Sequence, residues 1–152
     1  TSEMKTLFGA LFVTAGLFSL VLFTGSCSKP DHSADLPKEQ QVVGTWTIQR
    51  IQLRIYQGGV FIKDTILKQT PHPTNYVKFD ANGAFEYRFN TYTPDAGTYQ
   101  FSGSDGIVSN SLPQSYNWKM LTLTNVLFTV VSTGSDPAYP GALVERYQTF
   151  VR

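Results

Sequence analysis

Val77-Lys78-Phe79-Asp80-Ala81-Asn82-Gly83-Ala84-Phe85-Glu86-Tyr87-Arg88-Phe89-Asn90 is the stretch on which the fold turns. Phe85, Tyr87 and Phe89 alternate with Glu86, Arg88 and Asn90, and a period of two with one apolar and one polar face marks a half-buried strand. Val77 and Phe79 carry the same signal upstream. Between the two runs lies Asp80-Ala81-Asn82-Gly83, whose Asn-Gly pair takes positive φ at little steric cost. Segments 75–80 and 84–90 are therefore read as a hairpin. Downstream, Tyr99 and Phe101 alternate with Thr98 and Gln100, and Ser104-Asp105-Gly106 is a second turn signal. Further strands are predicted at 43–56, 59–67, 97–102, 116–121, 126–133 and 142–151, with none assigned across 103–116. No helical stripe appears beyond the N-terminal segment.

The first of these strands changes phase. Trp46 and Ile48 share one parity, whereas Ile51, Leu53 and Ile55 share the other. A bulge or bend near Gln49-Arg50 would restore a single inward face. A long bent first strand, about eight strands in all and hairpin connections fit an antiparallel up-and-down barrel, because closure removes exposed edges. A β-sandwich is the competing architecture.

Composition agrees with a β-rich domain. Aromatic residues make up 14% of the chain and charged residues only 15%, with a net charge of +1. No basic cluster is present, so nucleic acid is not an expected partner, since neutralising phosphates requires one.

The N-terminal segment gives an address. Met4-Lys5 supplies a positive start, and residues 7–23 are apolar or small apart from Thr14 and Ser19. Thr24-Gly25-Ser26 then lead to Cys27, the only cysteine. These are the parts of a secretory signal, assigned to 1–26. An uncleaved membrane helix and an ordinary buried thiol are the alternatives. Thr1-Ser2-Glu3 precede Met4 and stay outside that reading. Segment 27–41 is polar, has two prolines and reads as a flexible tether. Segment 42–152 is the folded domain.

Gly25-Ser26-Cys27 resembles the lipobox of bacterial lipoproteins. That resemblance implies a diacylglyceryl thioether on Cys27, acyl chains such as palmitate, and residence at the cell envelope, on the outer membrane. Gly44-Thr45-Trp46 resembles the Gly-x-Trp signature that opens the first strand of lipocalins. With 79–85, Gly97-Thr98-Tyr99-Gln100-Phe101 and Leu121-Thr122-Leu123-Thr124-Asn125, the domain resembles the lipocalin-like domains of Bacteroidetes-type lipoproteins. The resemblance implies that Gly44 and Trp46 close one end of a barrel, with Arg146 or Arg152 packed on the indole.

Catalytic motifs are scarce. His32 and His72 have no neighbours at metal-ligand spacing, and no metal or cofactor is expected. No nucleophile elbow, P-loop or dinucleotide fingerprint occurs. Asp80-x-Asn82-Gly83 lacks the later ligands of a calcium loop. Glu86 and Glu145, each beside aromatic neighbours, read as solvated outer-face residues rather than as an acid–base pair. The expectation is a non-catalytic protein. Its candidate ligand-lining residues are Phe85, Tyr87, Phe89, Tyr99, Phe101 and Trp118, enclosing a small apolar or amphipathic molecule. The competing expectation is that these aromatics fill the barrel, leaving an interaction subunit of an envelope complex. Loops 91–95 and 133–141 would then form a rim for a ligand or partner.

Overall fold

A computed structural model describes residues 36–68 and 74–152. The signal segment, Cys27, most of the tether, His32 and His72 lie outside the described residues. Within them the chain forms one helical turn, α1 (Lys38–Gln41), and nine strands. The strands are β1 (Gly44–Gln57), β2 (Val60–Lys68), β3 (Tyr76–Phe79), β4 (Ala84–Arg88), β5 (Asp95–Ser102), β6 (Gly106–Leu112), β7 (Asn117–Leu123), β8 (Leu127–Gly134) and β9 (Leu143–Val151). Neighbouring strands from β3 to β9 pair antiparallel in sequence order. β1 closes the ring by pairing with β3 through Gly44–Thr47 and with β9 through Thr47–Tyr56. The result is a closed eight-strand antiparallel barrel with β2 as an extra strand.

β1 performs the closure because it bends where its phase changes. Trp46, Ile48, Ile51, Leu53 and Ile55 are all buried, and the register against β9 slips between Ile48 and Arg50. That bulge lets one strand keep its apolar side inward throughout. Beyond it, the outer half of β1 pairs with β2, from Arg50–Lys68 to Gln57–Val60. β2 thus extends the line of β3 beyond the barrel wall. Its Val60, Phe61, Ile62, Ile66 and Leu67 are exposed.

The expected hairpin forms over 76–88, with Phe79 opposite Phe85 and Val77 opposite Tyr87. Its turn is closed by the Gly83 N–H donating to the Asp80 carbonyl at 3.0 Å.

A strand, β6, runs through the stretch left unassigned, so the described residues hold nine strands, eight of them in the barrel. Its inward positions are Ile107, Ser109 and Ser111, and the two buried serines replaced the apolar signal that alternation relies on. They are tolerated inside because they are bonded. Their hydroxyls lie 2.9 Å apart, the Ser111 hydroxyl donates to the Gln114 carbonyl at 2.6 Å, and the Tyr116 N–H donates to Ser109 Oγ at 2.8 Å. Residues 38–41 form a helical turn, and Lys38 Nζ donates to the Ser104 carbonyl at 2.9 Å.

Aromatic rings fill the barrel. Trp46, Phe79, Phe85, Trp118, Phe128 and Phe150 are all essentially inaccessible. Ring pairs step across the interior from Trp46–Phe128 at 5.5 Å through Phe128–Phe150 at 5.3 Å to Trp118–Phe150 at 5.8 Å. Edge-on and tilted pairs at these separations add to their area burial.

Candidate functional site

The two ends of the barrel differ. At the end carrying α1, Trp46 is buried and its indole N–H donates to the Val42 carbonyl at 2.8 Å. Val151 pairs with Thr47, so the next residue of the chain, Arg152, arrives above Trp46. Its guanidinium lies 3.8 Å from the indole centroid. It also donates to the carbonyls of Gln41 at 3.1 Å, Val42 at 3.4 Å and Val43. Partial burial lowers its pKa from the ordinary arginine value. Gly44 leaves room for this lid, since a Cβ there would stand 3.0 Å from the guanidinium nitrogen. The lid is Arg152, and this end is sealed.

The opposite end is open. β7 and β8 pair from Lys119–Val131 downward, and above that point they diverge. The gap is a cavity of about 260 Å³ between Gln114–Trp118 on one side and Ser132–Asp136 on the other, backed by Val144, Arg146 and Gln148 of β9. Even-numbered residues of β9 face inward, which brings these three to the same wall. The rim loops after β4 and β8 both lie at this end. Lys63 Nζ caps the Tyr139 ring at 4.7 Å there, while Tyr92 is fully exposed.

The cavity is lined mainly by polar side chains, with one carboxylate and one guanidinium among them. Arg146 donates to Asp136 Oδ2 at 3.2 Å, and the Ala138 N–H occupies Oδ1 of the same carboxylate at 2.9 Å. Gln148, only 1% exposed, accepts the Tyr87 hydroxyl on Oε1 at 3.0 Å, which leaves its NH₂ as the donating end. The Tyr116 hydroxyl donates to Asp95 Oδ2. Burial pushes the Tyr87 phenol well above the ordinary tyrosine range, despite the opposing influence of Arg146. Burial and the bond to Asp95 do the same for Tyr116. Both hydroxyls are therefore neutral donors at neutral pH. The indole N–H of Trp118 is the exception: the Trp118 side chain lines the cavity, and its N–H is buried with no acceptor among the described residues. Leaving such a group unpaired costs about 1–3 kcal/mol.

Of the residues singled out from the sequence, Phe85, Tyr87 and Trp118 are buried together, with Trp118 5.9 Å from Phe85 and 5.8 Å from Tyr87. Trp118 alone of the six lines the cavity. Phe89, Tyr99 and Phe101 pack against the core, half-buried. Arg146 stands at the open mouth, away from Trp46. Glu86 and Glu145 are not paired with each other. Glu86 accepts the Tyr76 hydroxyl at 3.0 Å, and Glu145 accepts those of Tyr56 and Tyr147 at 3.1 and 2.9 Å. Tyr116, Asp136 and Gln148 escaped sequence reading. The available signal was parity along β9, where Val144, Arg146, Gln148 and Phe150 share one face.

Fold and site together define a small antiparallel β-barrel, sealed at one end by an arginine on a tryptophan and carrying a polar-lined cavity at the other. Comparison with known proteins adds no family: no protein-family model matches the chain, and no curated protein sequence matches it.

Proposed function

We propose that this chain is a non-catalytic, lipocalin-like lipoprotein, anchored to the outer membrane through acylated Cys27, that holds a small amphipathic molecule at the mouth of its barrel. The observation that carries this reading is the mouth cavity, walled in part by Trp118, whose buried indole N–H has no partner among the described residues. A core position with a polar atom left unpaired is retained where something else satisfies it. The aromatic stack fills the barrel axis, so the molecule is compact and sits between β7 and β8. Gly44, Trp46 and Arg152 at the sealed end support the lipocalin-like assignment. Two acyl chains make attachment stable where one is marginal, so Cys27→Ala moves the protein from the membrane to the soluble fraction. Binding is tested by extracting protein purified from its native membrane and titrating the extract into ¹⁵N-labelled protein. A compound that shifts the Trp118 indole signal and leaves that of Trp46 in place supports the reading. An extract that moves neither refutes it.

One observation favours a second reading, an interaction subunit of an envelope complex. Among the described residues β2 pairs only with β1, and it exposes Val60, Phe61, Ile62, Ile66 and Leu67. Unpaired apolar strand edges recruit other chains. Loss of a co-purifying envelope protein on Phe61→Lys, with the fold intact, would establish that role.

A further inference from the structure

Resting on the binding reading above, we infer that the mouth cavity selects a compact monocarboxylate with an apolar body, its oxygens held by the Arg146 guanidinium and by the neighbouring Gln148 NH₂. The inventory of polar groups leads there. Both carboxylates near the cavity already have partners: Asp136 takes Arg146 and the Ala138 N–H, and Asp95 takes the Tyr116 hydroxyl. On the donor side there is surplus. Arg146 carries five N–H groups and, among the described residues, makes a single hydrogen bond, to Asp136. The Gln148 NH₂ adds to that excess. A ligand fitted to these donors must bring acceptors, and the one carboxylate of the lining, Asp136, is already engaged.

Charge and shape narrow the choice. A guanidinium presents adjacent N–H groups in a planar fork that matches the two oxygens of a carboxylate. The apolar faces at the same site are Tyr116, Trp118 and Val144, with the Tyr116 and Trp118 rings 5.1 Å apart. A flat hydrocarbon body packs on such faces. Size excludes long chains. The 260 Å³ available equals the liquid volume of roughly nine water molecules, and the space beneath it is filled by Phe85, Trp118 and Phe150. An aromatic or short branched acid fits, whereas a fatty acid does not.

Asp136 then acts as the competitor. Its carboxylate occupies one edge of Arg146 and repels an incoming anion. Asp136→Asn keeps an oxygen for the Ala138 N–H and removes the charge.

The test is calorimetric titration of the mature protein with benzoate, benzamide and benzylamine, read in parallel on the two indole ¹⁵N–H signals. Trp46, bonded to Val42, serves as the internal control. Benzoate is expected to bind and to shift Trp118, with benzamide about tenfold weaker, the loss of one hydrogen bond to a charged group. Asp136→Asn tightens benzoate severalfold without changing benzamide. Arg146→Gln abolishes the preference for benzoate, and Arg146→Lys restores it only in part because a point charge has no fork. Benzamide or benzylamine binding as well as benzoate would overturn the carboxylate assignment and leave the binding reading standing. Silence with all three probes, Trp118 included, in a folded protein would overturn the carboxylate assignment, and silence with the native extract as well would remove the binding reading with it.

Discussion

Removing the Arg152 side chain tests the sealed end most directly. Its guanidinium covers the Trp46 ring at 3.8 Å, a contact worth about 1 kcal/mol where the cation is only partly desolvated. It also donates to three successive carbonyls, Gln41, Val42 and Val43, the second of which also takes the Trp46 indole N–H. A charge-assisted bond contributes about 1.5–3 kcal/mol, and bonds sharing one donor group are not additive. Arg152→Ala is therefore expected to destabilise the domain by about 2–3 kcal/mol, out of a total of about 5–15. In urea, with a slope of about 1–3 kcal/mol per molar, the midpoint falls by about 1–2 M at unchanged slope. Arg152→Lys keeps a cation on the ring and loses the fork, so it falls between the two. A double-mutant cycle with Trp46→Phe isolates the ring contact. If Arg152→Ala unfolds within about 0.5 kcal/mol of the parent, the lid is an ordinary surface arginine, and the reasoning about this end is wrong.

Three further outcomes are expected. A Cβ at Gly97 would lie 2.0 Å from the Asn110 carbonyl oxygen and 2.8 Å from Ser111 Cα. Gly97→Ala must then push β5 and β6 apart, and circular dichroism should show a domain unfolded or melting far lower; a parent-like melt would contradict the pairing. Tyr87 is neutral in the fold and has a raised pKa, so its contribution is fully present below pH about 10 and is lost as pH rises above it, by up to about 1.4 kcal/mol per pH unit. Tyr87→Phe should flatten that alkaline slope, whatever its effect at pH 7, and an unchanged slope would refute the burial argument. Ser109→Ala removes the acceptor of the Tyr116 N–H, and urea unfolding should register a loss of about 1–3 kcal/mol.

The sequence revealed the wall of this barrel better than its mouth, for a physical reason. Phe85, Tyr87, Tyr99 and Phe101 announce their strands because large apolar side chains alternate with polar ones. Even the bend in β1 is legible, since Trp46-x-Ile48 and Ile51-x-Leu53-x-Ile55 disagree in phase and only an extra residue reconciles them. β6 is not legible, because Ser109 and Ser111 are inward positions stabilised by hydrogen bonds to Tyr116 and Gln114, residues three to seven places downstream. The cavity is hidden for a related reason. It exists because β7 and β8 stop pairing above Lys119 and Val131, and where a ladder ends is a property of both strands together. The unpartnered Trp118 N–H is equally silent in the sequence, where a tryptophan in a strand reads as core.

β9 shows how the two ends are linked. Val144, Arg146, Gln148 and Phe150 lie on the inner face, and Arg152 follows at the same parity. Arg146 and Arg152 are six residues apart, roughly 20 Å along an extended strand, which is long enough to run from the mouth to the sealed end. Between them Phe150 stacks on Phe128 at 5.3 Å, and Gln148 takes the Tyr87 hydroxyl. Parity alone places both arginines on one side and leaves their roles undecided. Register decides it, because Val151 opposite Thr47 sets Arg152 over Trp46, while Leu53 opposite Arg146 holds the latter at the other end. A slip of two residues would keep every side chain on its face yet carry Arg152 away from Trp46, and one of one residue would turn both arginines outward. The bulge between Ile48 and Arg50 fixes that register. The irregularity that lets β1 close the barrel thus also assigns one arginine to the lid and the other to the cavity.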